Sequence, residues 1–335
     1  MVRVEKLVVF RGLYLGDLVA ATGALRALRR GFPEAEISLV SLPWVAVLLP
    51  HLPSVDRFLP YPGAPGLDGE GTEEDLERFL AGLHAERFDL AVNMHGQGPT
   101  STRLVARFEA ERTVSFVGEK RSNIPTLDVE VPWNAEAHES RKLLLLAAKA
   151  GGVPSGAHDG AAPELRVRDE DVRRARALLP AGLRRPLALV HPGASVPEKR
   201  WPVEAFGQVA EGLVRRGYAV AVTGSAEENG LTRLVSKAVP GAINLGGGTD
   251  LSTLIALVAR ANVVVSNDTG PAHLAYAVRT PSVTLFGPST DAERWGPLDR
   301  ERHAVLEGDP ISDIPARDVL RSTFALGTRR ELLGA

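Results

Sequence analysis

This 335-residue chain contains no cysteine, and that absence removes several kinds of chemistry at once. Without a thiol there is no disulfide framework, no thiolate nucleophile and no cysteine-based zinc site. Positive charge is not in excess either, because the formal net charge is -2. The electrostatic case for a nucleic-acid partner is therefore missing. The chemistry of the protein has to come from oxygen and nitrogen side chains and from backbone amides.

The chain also lacks any apolar run of the ~18 residues that a membrane-spanning helix requires. The run from Leu143 to Ala148 is far too short. Residues Met1 to Lys6 lead directly into a predicted strand rather than into the apolar core of a secretory signal. We therefore expect a cytoplasmic protein, whose length suits two domains that each have a core of their own.

Predicted strands and helices alternate along the chain, which indicates parallel sheets covered on both faces. The predicted strands lie near 4–10, 36–41, 55–60, 88–94, 112–117, 187–191, 219–224, 242–245, 262–267 and 281–286. The predicted helices lie near 17–30, 43–50, 73–85, 100–108, 137–150, 203–216, 227–238, 251–260, 271–278 and 316–333. A stretch rich in Gly, Ala and Pro, residues 151–163, is the predicted linker. It separates a first domain, residues 1–160, from a second, residues 161–335.

The segment Val263–Leu274 predicts a buried strand that enters a helix through a polar turn. Asp268 and Thr269 stand where a helix N-cap belongs, and Pro271 lies inside the first turn. Free backbone amides at Thr269 and Gly270, together with a helix dipole of about half a charge, suit a phosphate. An ordinary capped turn between a strand and a helix is the alternative interpretation.

A second loop, residues 191–202, follows a predicted apolar strand and carries both a glycine and a lysine. Gly193 lets the backbone approach a ligand closely. Lys199, at the far end of the loop, can place an ammonium group on a phosphate. A solvated surface loop with a packed Trp201 is the alternative.

Taken together, these segments resemble glycosyltransferase family 9, the heptosyltransferase-like enzymes of the GT-B architecture. The shared motifs, in chain order, are Arg11 to Asp17, Gly193-Ala194, Lys199 to Pro202, Gly224 to Glu228, Asp268 to His273, Phe286-Gly287-Pro288 and Trp295-Gly296-Pro297. The resemblance implies an α/β fold of two Rossmann-like domains whose parallel sheets face a central cleft. It also implies that the last helix packs back on the N-terminal domain.

The resemblance also implies a role for individual residues. Asp17 resembles the base that deprotonates the acceptor hydroxyl, and a helix N-cap is a second, structural role for it. The acceptor-binding residues implied are Gly16, His95 and Gln97. The donor-binding residues implied are Gly193, Ala194, Lys199, Glu228, Asp268, Thr269, Gly270, Pro271 and His273. Either Glu227 or Glu228 would hold the ribose hydroxyls of the donor, the alternative being two exposed carboxylates in the first turn of a helix.

The reaction implied is an inverting, metal-independent glycosyl transfer in lipopolysaccharide biosynthesis. A heptose would pass from ADP-heptose to a cell-surface saccharide or a lipid-linked acceptor, and no cofactor is expected besides this donor. The expected partners are the nucleotide sugar and a saccharide or glycolipid, with a peripheral contact at the inner face of the cell membrane. Two alternatives are a GT-B-fold nucleotide-sugar epimerase and a non-catalytic nucleotide-sugar-binding protein.

The segment Asp169-Glu170-Asp171 has the letters of the D-x-D metal motif of another glycosyltransferase architecture. It precedes a helical pattern, however, and acidic residues in a first turn complement the helix dipole. We therefore predict a helix start and no metal site. A further group of histidines shows no ligand spacing and is expected at the surface: His51, His84, His138, His158 and His303.

Overall fold

The computed structural model describes residues 3–64, 66–67, 69–118, 127–155 and 160–332. The chain divides into two compact units, unit 1 (Met1–Pro163) and unit 2 (Glu164–Ala335). Each unit contains a six-stranded sheet in which every neighbouring pair of strands runs parallel.

Unit 1 alternates strands and helices along the chain. Its strands are β1 (Lys6–Phe10), β2 (Glu36–Ser41), β3 (Arg57–Pro60), β4 (Leu90–Asn93), β5 (Arg112–Val117) and β6 (Val129–Pro132). Its α-helices are α1 (Leu15–Gly31), α2 (Glu73–Glu86), α3 (Pro99–Ala106) and α4 (Glu139–Ala150). The segment Pro43–His51 is a 3₁₀ helix. The strands lie in the order β3-β2-β1-β4-β5-β6.

Unit 2 repeats this arrangement. Its strands are β7 (Leu187–His191), β8 (Ala219–Gly224), β9 (Ile243–Gly246), β10 (Val263–Asn267), β11 (Ser282–Phe286) and β12 (His303–Glu307). Its α-helices are α5 (Asp169–Ala177), α6 (Val203–Arg215), α7 (Asn229–Ala238), α8 (Leu251–Arg260), α9 (Gly270–Ala277), α10 (Ala292–Trp295) and α11 (Ala316–Leu332). The strand order is β9-β8-β7-β10-β11-β12, so that each unit has the Rossmann order 3-2-1-4-5-6.

This strand order determines where ligands bind in each unit. The order reverses beside the first strand, between β1 and β4 in unit 1 and between β7 and β10 in unit 2. The loops that leave the carboxyl ends of these two strands diverge, and the crevice between them is the usual ligand site of an open α/β sheet. We call these two places the switch points of unit 1 and unit 2.

Each sheet is covered by apolar side chains of its own unit. Val8 and Phe10 of β1 pack with Phe108 in unit 1. Val190 and Val265 pack in the core of unit 2, which also contains residues 319 and 326 of α11. Central strands buried on both faces have near-continuous apolar sequences, which is why the runs in β1 and β10 predict them correctly. Packing of α11 on the first unit stays a prediction.

The structure differs from the sequence predictions in the edge strands, in one helix and in the burial of two histidines. The edge strands β6 and β12 were not predicted, because their sequences are short and half exposed and lack a continuous apolar run. The helix predicted near 43–50 is a 3₁₀ helix with Pro50 inside it. His51 and His303 are buried rather than exposed, and the Nδ1 atom of His303 is hydrogen-bonded to the Ser282 hydroxyl at 2.9 Å. His158 lies outside the described residues.

Candidate active site

The two loops at the switch point of unit 2 are joined by Asn267, the last residue of β10. Its Nδ2 atom donates hydrogen bonds to the carbonyl oxygens of Pro192 (3.0 Å) and Gly193 (3.1 Å). Its Oδ1 atom accepts a hydrogen bond from the Trp201 amide at 3.0 Å. Asn267 was not among the predicted site residues, although a polar residue directly after the apolar run of a central strand is a signal that could have identified it.

Helix α9 begins at this switch point, three residues after the end of β10. Thr269 is the N-cap residue, as predicted, and Pro271 is the second residue of the helix. Within the described residues the Thr269 side chain makes no capping hydrogen bond. In α2, by contrast, Thr72 and Asp75 form a complete capping box. The start of α9 therefore keeps donors that suit an anion.

Asp268 lies between two cationic or ionisable side chains at the same place. Its Oδ2 atom is 3.4 Å from the Lys199 Nζ atom, and its Oδ1 atom is 3.7 Å from the Nε2 atom of His273. Burial alone would raise the pKa of Asp268, but His273 and Lys199 outweigh it and hold this pKa below its ordinary value. The Asp268 carboxylate thus stays charged and holds the Lys199 ammonium group at the switch point of unit 2.

Glu228 contacts the glycine of the other loop. A Cβ atom built on Gly193 would lie 2.1 Å from the Glu228 Oε1 atom, so this close approach requires a glycine. The Oε2 atom accepts a hydrogen bond from the Ser225 amide at 2.9 Å and lies 3.7 Å from the Nε2 atom of His191. The alternative of two exposed carboxylates is therefore wrong for Glu228, which packs in the site. Glu227 is exposed.

Ala194, the remaining predicted donor-site residue of the loop after β7, is buried. Its carbonyl oxygen accepts hydrogen bonds from the Arg200 Nε atom at 3.1 Å and the Arg200 Nη2 atom at 2.9 Å. These bonds fix the turn between Gly193 and the lysine that ends the loop. All the donor-site residues predicted from the sequence thus lie around one switch point, on the β7 and β10 loops, at the start of α9 and after β8.

At the switch point of unit 1, Asp17 lies in the first turn of α1. The helix begins at Leu15 and its N-cap residue is Tyr14, so the N-cap role for Asp17 is wrong. Arg11 contacts Asp17 at two atoms. Its Nε atom donates a hydrogen bond to the Asp17 carbonyl oxygen at 2.6 Å, and its Nη2 atom is 3.5 Å from the Asp17 Oδ1 atom. The Asp17 side chain remains 20% exposed, whereas that of Arg11 is 1% exposed.

His95 lies on the neighbouring loop, after β4, and its ring stacks on Phe10 at 4.9 Å between centroids. The Nδ1 atom faces the Gly12 amide at 3.2 Å and accepts its hydrogen, so the hydrogen of the neutral ring is on Nε2. Burial, with a smaller effect of the Arg11 cation, lowers the pKa of His95 to about 4. At neutral pH this residue is therefore a neutral hydrogen-bond donor.

The other two predicted acceptor-site residues lie on the same two loops. Gly16 is half-buried in the first turn of α1, directly before Asp17. Gln97 is exposed, and its Oε1 atom would lie 2.6 Å from a Cβ atom built on Gly118. The amide of Gln97 therefore lies against the end of β5, on the side of β4 that is away from β1.

The segment Asp169–Asp171 begins helix α5, as predicted. Asp171 is buried and forms ion pairs with Arg168, at 3.7 Å, and with Arg174. Among the residues described, no group of three or more His, Asp or Glu side chains is arranged to hold a metal ion. Within the same part of the chain, no helix has the length and apolar character of a membrane span.

The model of the family described as glycosyltransferase family 9 (heptosyltransferase) matches residues 76–315, well over half of the chain. This chain belongs to glycosyltransferase family 9. The chain is 28% identical to lipopolysaccharide heptosyltransferase 2 of Escherichia coli K12, covering 97% of this chain and 99% of the relative. It is 27% identical to lipooligosaccharide heptosyltransferase 2 of Haemophilus ducreyi, covering 85% and 84%. The prediction of a glycosyltransferase is confirmed, and the protein is an enzyme.

Solved structures show the same fold. A family 9 glycosyltransferase from Veillonella parvula superposes with a TM-score of 0.82 at 20% identity, covering 97% of this chain and 98% of the other. The E. coli ADP-heptose LPS heptosyltransferase II gives a TM-score of 0.80 at 22% identity, with 97% and 99% covered. The predicted α/β fold with two Rossmann-like halves of the GT-B type is therefore confirmed.

Proposed function

We propose that this glycosyltransferase moves a heptose from ADP-heptose to a saccharide or lipid-linked acceptor of the lipopolysaccharide core. The names of its relatives support the choice of sugar and acceptor. One observation carries the proposal: Lys199, the start of α9 and Glu228 surround a single switch point. The lysine and the helix start suit a diphosphate, whereas a carboxylate after the second strand of a Rossmann sheet suits ribose hydroxyls.

The donor site favours departure of the nucleoside diphosphate. As the glycosidic bond breaks, negative charge grows on the leaving oxygen, and donors that are already oriented toward it stabilise the transition state more than the ground state. Lys199 supplies a fixed ammonium, and the amides of Thr269 and Gly270 supply the donors at the helix start. In this proposal these groups take the place of a divalent metal ion.

The acceptor site lies on unit 1. There the Asp17 carboxylate would remove the proton from the acceptor hydroxyl as it attacks the anomeric carbon on the face opposite the diphosphate. General-base help of this kind contributes about 10²–10⁴ in rate. The neutral His95 would donate its Nε2 hydrogen to an acceptor oxygen, and Gly16 and Gln97 would complete the contacts. A cytoplasmic location at the inner face of the membrane would give the enzyme access to both a charged nucleotide sugar and a lipid-linked acceptor.

The test is a transfer assay with purified protein. ADP-heptose and ADP-glucose are each incubated with lipopolysaccharides truncated at successive core sugars, and ADP release and the mass of the acceptor are measured. We expect ADP release and a gain of one heptose on one of the truncated acceptors, with an inverted anomeric centre by NMR. Transfer of glucose but not heptose would contradict the proposed donor. ADP release without any change of acceptor mass would contradict the proposed acceptor class.

A further inference from the structure

Four charged side chains form a series of ion pairs that includes the candidate base of unit 1, and the other three are buried. They come from the end of β1, from α1 and from α4: Arg11, Asp17, Glu139 and Lys142. The Arg11 Nη2 atom lies 3.5 Å from Asp17 Oδ1 and 3.6 Å from Glu139 Oε1. Glu139 Oε2 is in turn 3.0 Å from the Lys142 Nζ atom. We call these residues the Arg11 cluster.

Arg11 connects the two loops of the switch point. Besides its bond to the carbonyl oxygen of Asp17, its Nη1 atom donates to the Met94 carbonyl oxygen, directly before His95. The planar guanidinium has several donors at fixed angles and is always charged. It therefore holds the first turn of α1 and the β4 loop in one relative position, which lysine could not reproduce.

The guanidinium is only 1% exposed, so its charge needs anionic partners inside the protein. An aspartate that carried the whole of this interaction would be a weak base, because a nearby cation stabilises the carboxylate form. Glu139 is a second carboxylate at nearly the same distance from the cation. Lys142 then balances Glu139, and its ammonium lies 3.9 Å from the centre of the Trp133 ring.

We propose that Glu139 is a positioning residue of the transfer reaction, which shares the Arg11 cation and so keeps the Asp17 carboxylate available to the acceptor hydroxyl. This inference rests on the proposed role of Asp17 as the base. Four ionisable groups belong to the elements at this switch point besides Asp17: Arg11, which contacts Asp17; Glu139 and Lys142 on α4; and His95 on the β4 loop. His95 is neutral near pH 7 and adds no charge at this place. The two carboxylates that offset the positive charge of Arg11 are therefore those of Asp17 and Glu139.

The decisive variant is Glu139→Gln, which removes the charge and keeps the shape. We expect kcat to fall about tenfold, because Asp17 is drawn to the guanidinium and becomes a weaker base. The KM for the nucleotide sugar should stay the same, and the acid limb of the pH profile of kcat should move to lower pH. Glu139→Asp, which keeps the charge but is one methylene shorter, should recover most of the loss.

The same sheet offers a matched control. Glu86 is also paired with one arginine and one lysine, Arg57 at 2.9 Å and Lys6 at 3.1 Å. These partners are the first residues of β3 and β1, at the amino ends of the strands, whereas the switch point lies at the carboxyl ends. Glu86→Gln therefore makes the same change of charge without touching the site. We expect it to lower Tm and to leave kcat and its pH profile unchanged.

A purely structural role makes a different prediction. If Glu139→Gln lowers Tm as Glu86→Gln does, while kcat per folded enzyme and the pH profile stay as in the parent, the inference is overturned. Arg11→Lys is a second test if Glu139→Gln does not fold. We expect this variant to have a lower kcat and the same KM, and an unchanged kcat would equally contradict the proposal. Asp17→Asn is measured in parallel, and normal turnover in that variant would contradict the proposed base itself.

Discussion

The two units share one sheet topology but carry opposite ion pairs at their switch points. In unit 1 the cation is buried, with Arg11 1% exposed, and the Asp17 carboxylate 3.5 Å away is 20% exposed. In unit 2 the anion is buried, with Asp268 6% exposed, and the Lys199 ammonium 3.4 Å away is 25% exposed. The more accessible partner is therefore an anion in unit 1 and a cation in unit 2.

In the proposed mechanism, this inversion lets one fold serve two chemical tasks. A hydroxyl that must lose a proton needs an accessible carboxylate, and a diphosphate that gains charge needs an accessible cation. In each unit the buried partner holds the accessible one in place, and burial strengthens the interaction between them. The sheet supplies the position of the site, whereas the loop residues determine its chemistry.

The largest expected effect is at the accessible anion. Asp17→Asn should lower kcat by at least ~10²-fold, because an amide cannot accept the proton of the acceptor hydroxyl. Affinity for ADP, measured by calorimetry, should be unchanged, because the proposed ADP contacts are all on unit 2. A variant with near-normal turnover would show that the exposed carboxylate of unit 1 is not the base.

The matching change at the accessible cation should alter binding instead. Lys199→Ala should weaken ADP binding by about 1.5–3 kcal/mol, the usual range for a hydrogen bond to a charged group. Lys237→Ala, on the exposed side of α7, removes the same charge away from the site and serves as the control. Equal ADP affinities of Lys199→Ala and the control would mean that the accessible cation of unit 2 does not bind the diphosphate.

Gly193→Ala tests the close packing that is special to unit 2. The new methyl group would collide with the end of the Glu228 side chain, which can move, so we expect little change in Tm. ADP should bind about tenfold more weakly, because the displaced carboxylate loses its ribose hydrogen bonds. ADP lacking both ribose hydroxyls should bind equally to the variant and the parent. A loss of equal size for both ligands would point to the phosphates instead.

Buried histidines give each unit a dependence of stability on pH. Burial lowers the pKa of His95 to about 4 and that of His303 to about 3, from an ordinary value of 6.5. Between 6.5 and the folded-state pKa of each histidine, the unfolded chain binds more protons than the folded protein. The contribution of each neutral histidine to the free energy of unfolding is therefore fully present above pH 6.5 and is lost as the pH falls toward its folded-state pKa. His303→Gln should flatten the decrease of Tm between pH 6.5 and 4 more than His95→Gln. Parallel curves for parent and variants would contradict this.

The smallest expected effect is that of metal removal. The helix start and Lys199 already supply positive potential at the diphosphate, so activity should persist in excess EDTA. Exchanging both Asp169 and Asp171 for alanine should lower Tm, since Asp171 is buried among arginines, but should leave kcat unchanged. Activity that is lost with EDTA and restored by magnesium or manganese would contradict the metal-free mechanism.

Much of the fold follows from local patterns. The apolar runs of β1 and β10 predict central strands, and the turn after Asn267 predicts the start of α9. The edge strands β6 and β12 escaped prediction because each is defined by hydrogen bonds to one neighbouring strand, and edge positions do not require a continuous apolar sequence. The start of α1 at Leu15 rather than at Asp17 is a difference of two residues, which cap signals alone do not resolve.

The sequence by itself determined the family, the alternation of strands and helices and the residue types around each switch point, because motifs and periodicity are local. Only the tertiary structure decided that Glu228 rather than Glu227 packs on Gly193, and that Glu139 reaches Arg11 although 128 positions separate them. It also decided that Asn267 joins the two donor loops. These contacts depend on where distant segments meet in a packed sheet, and burial then determines which charge stays accessible.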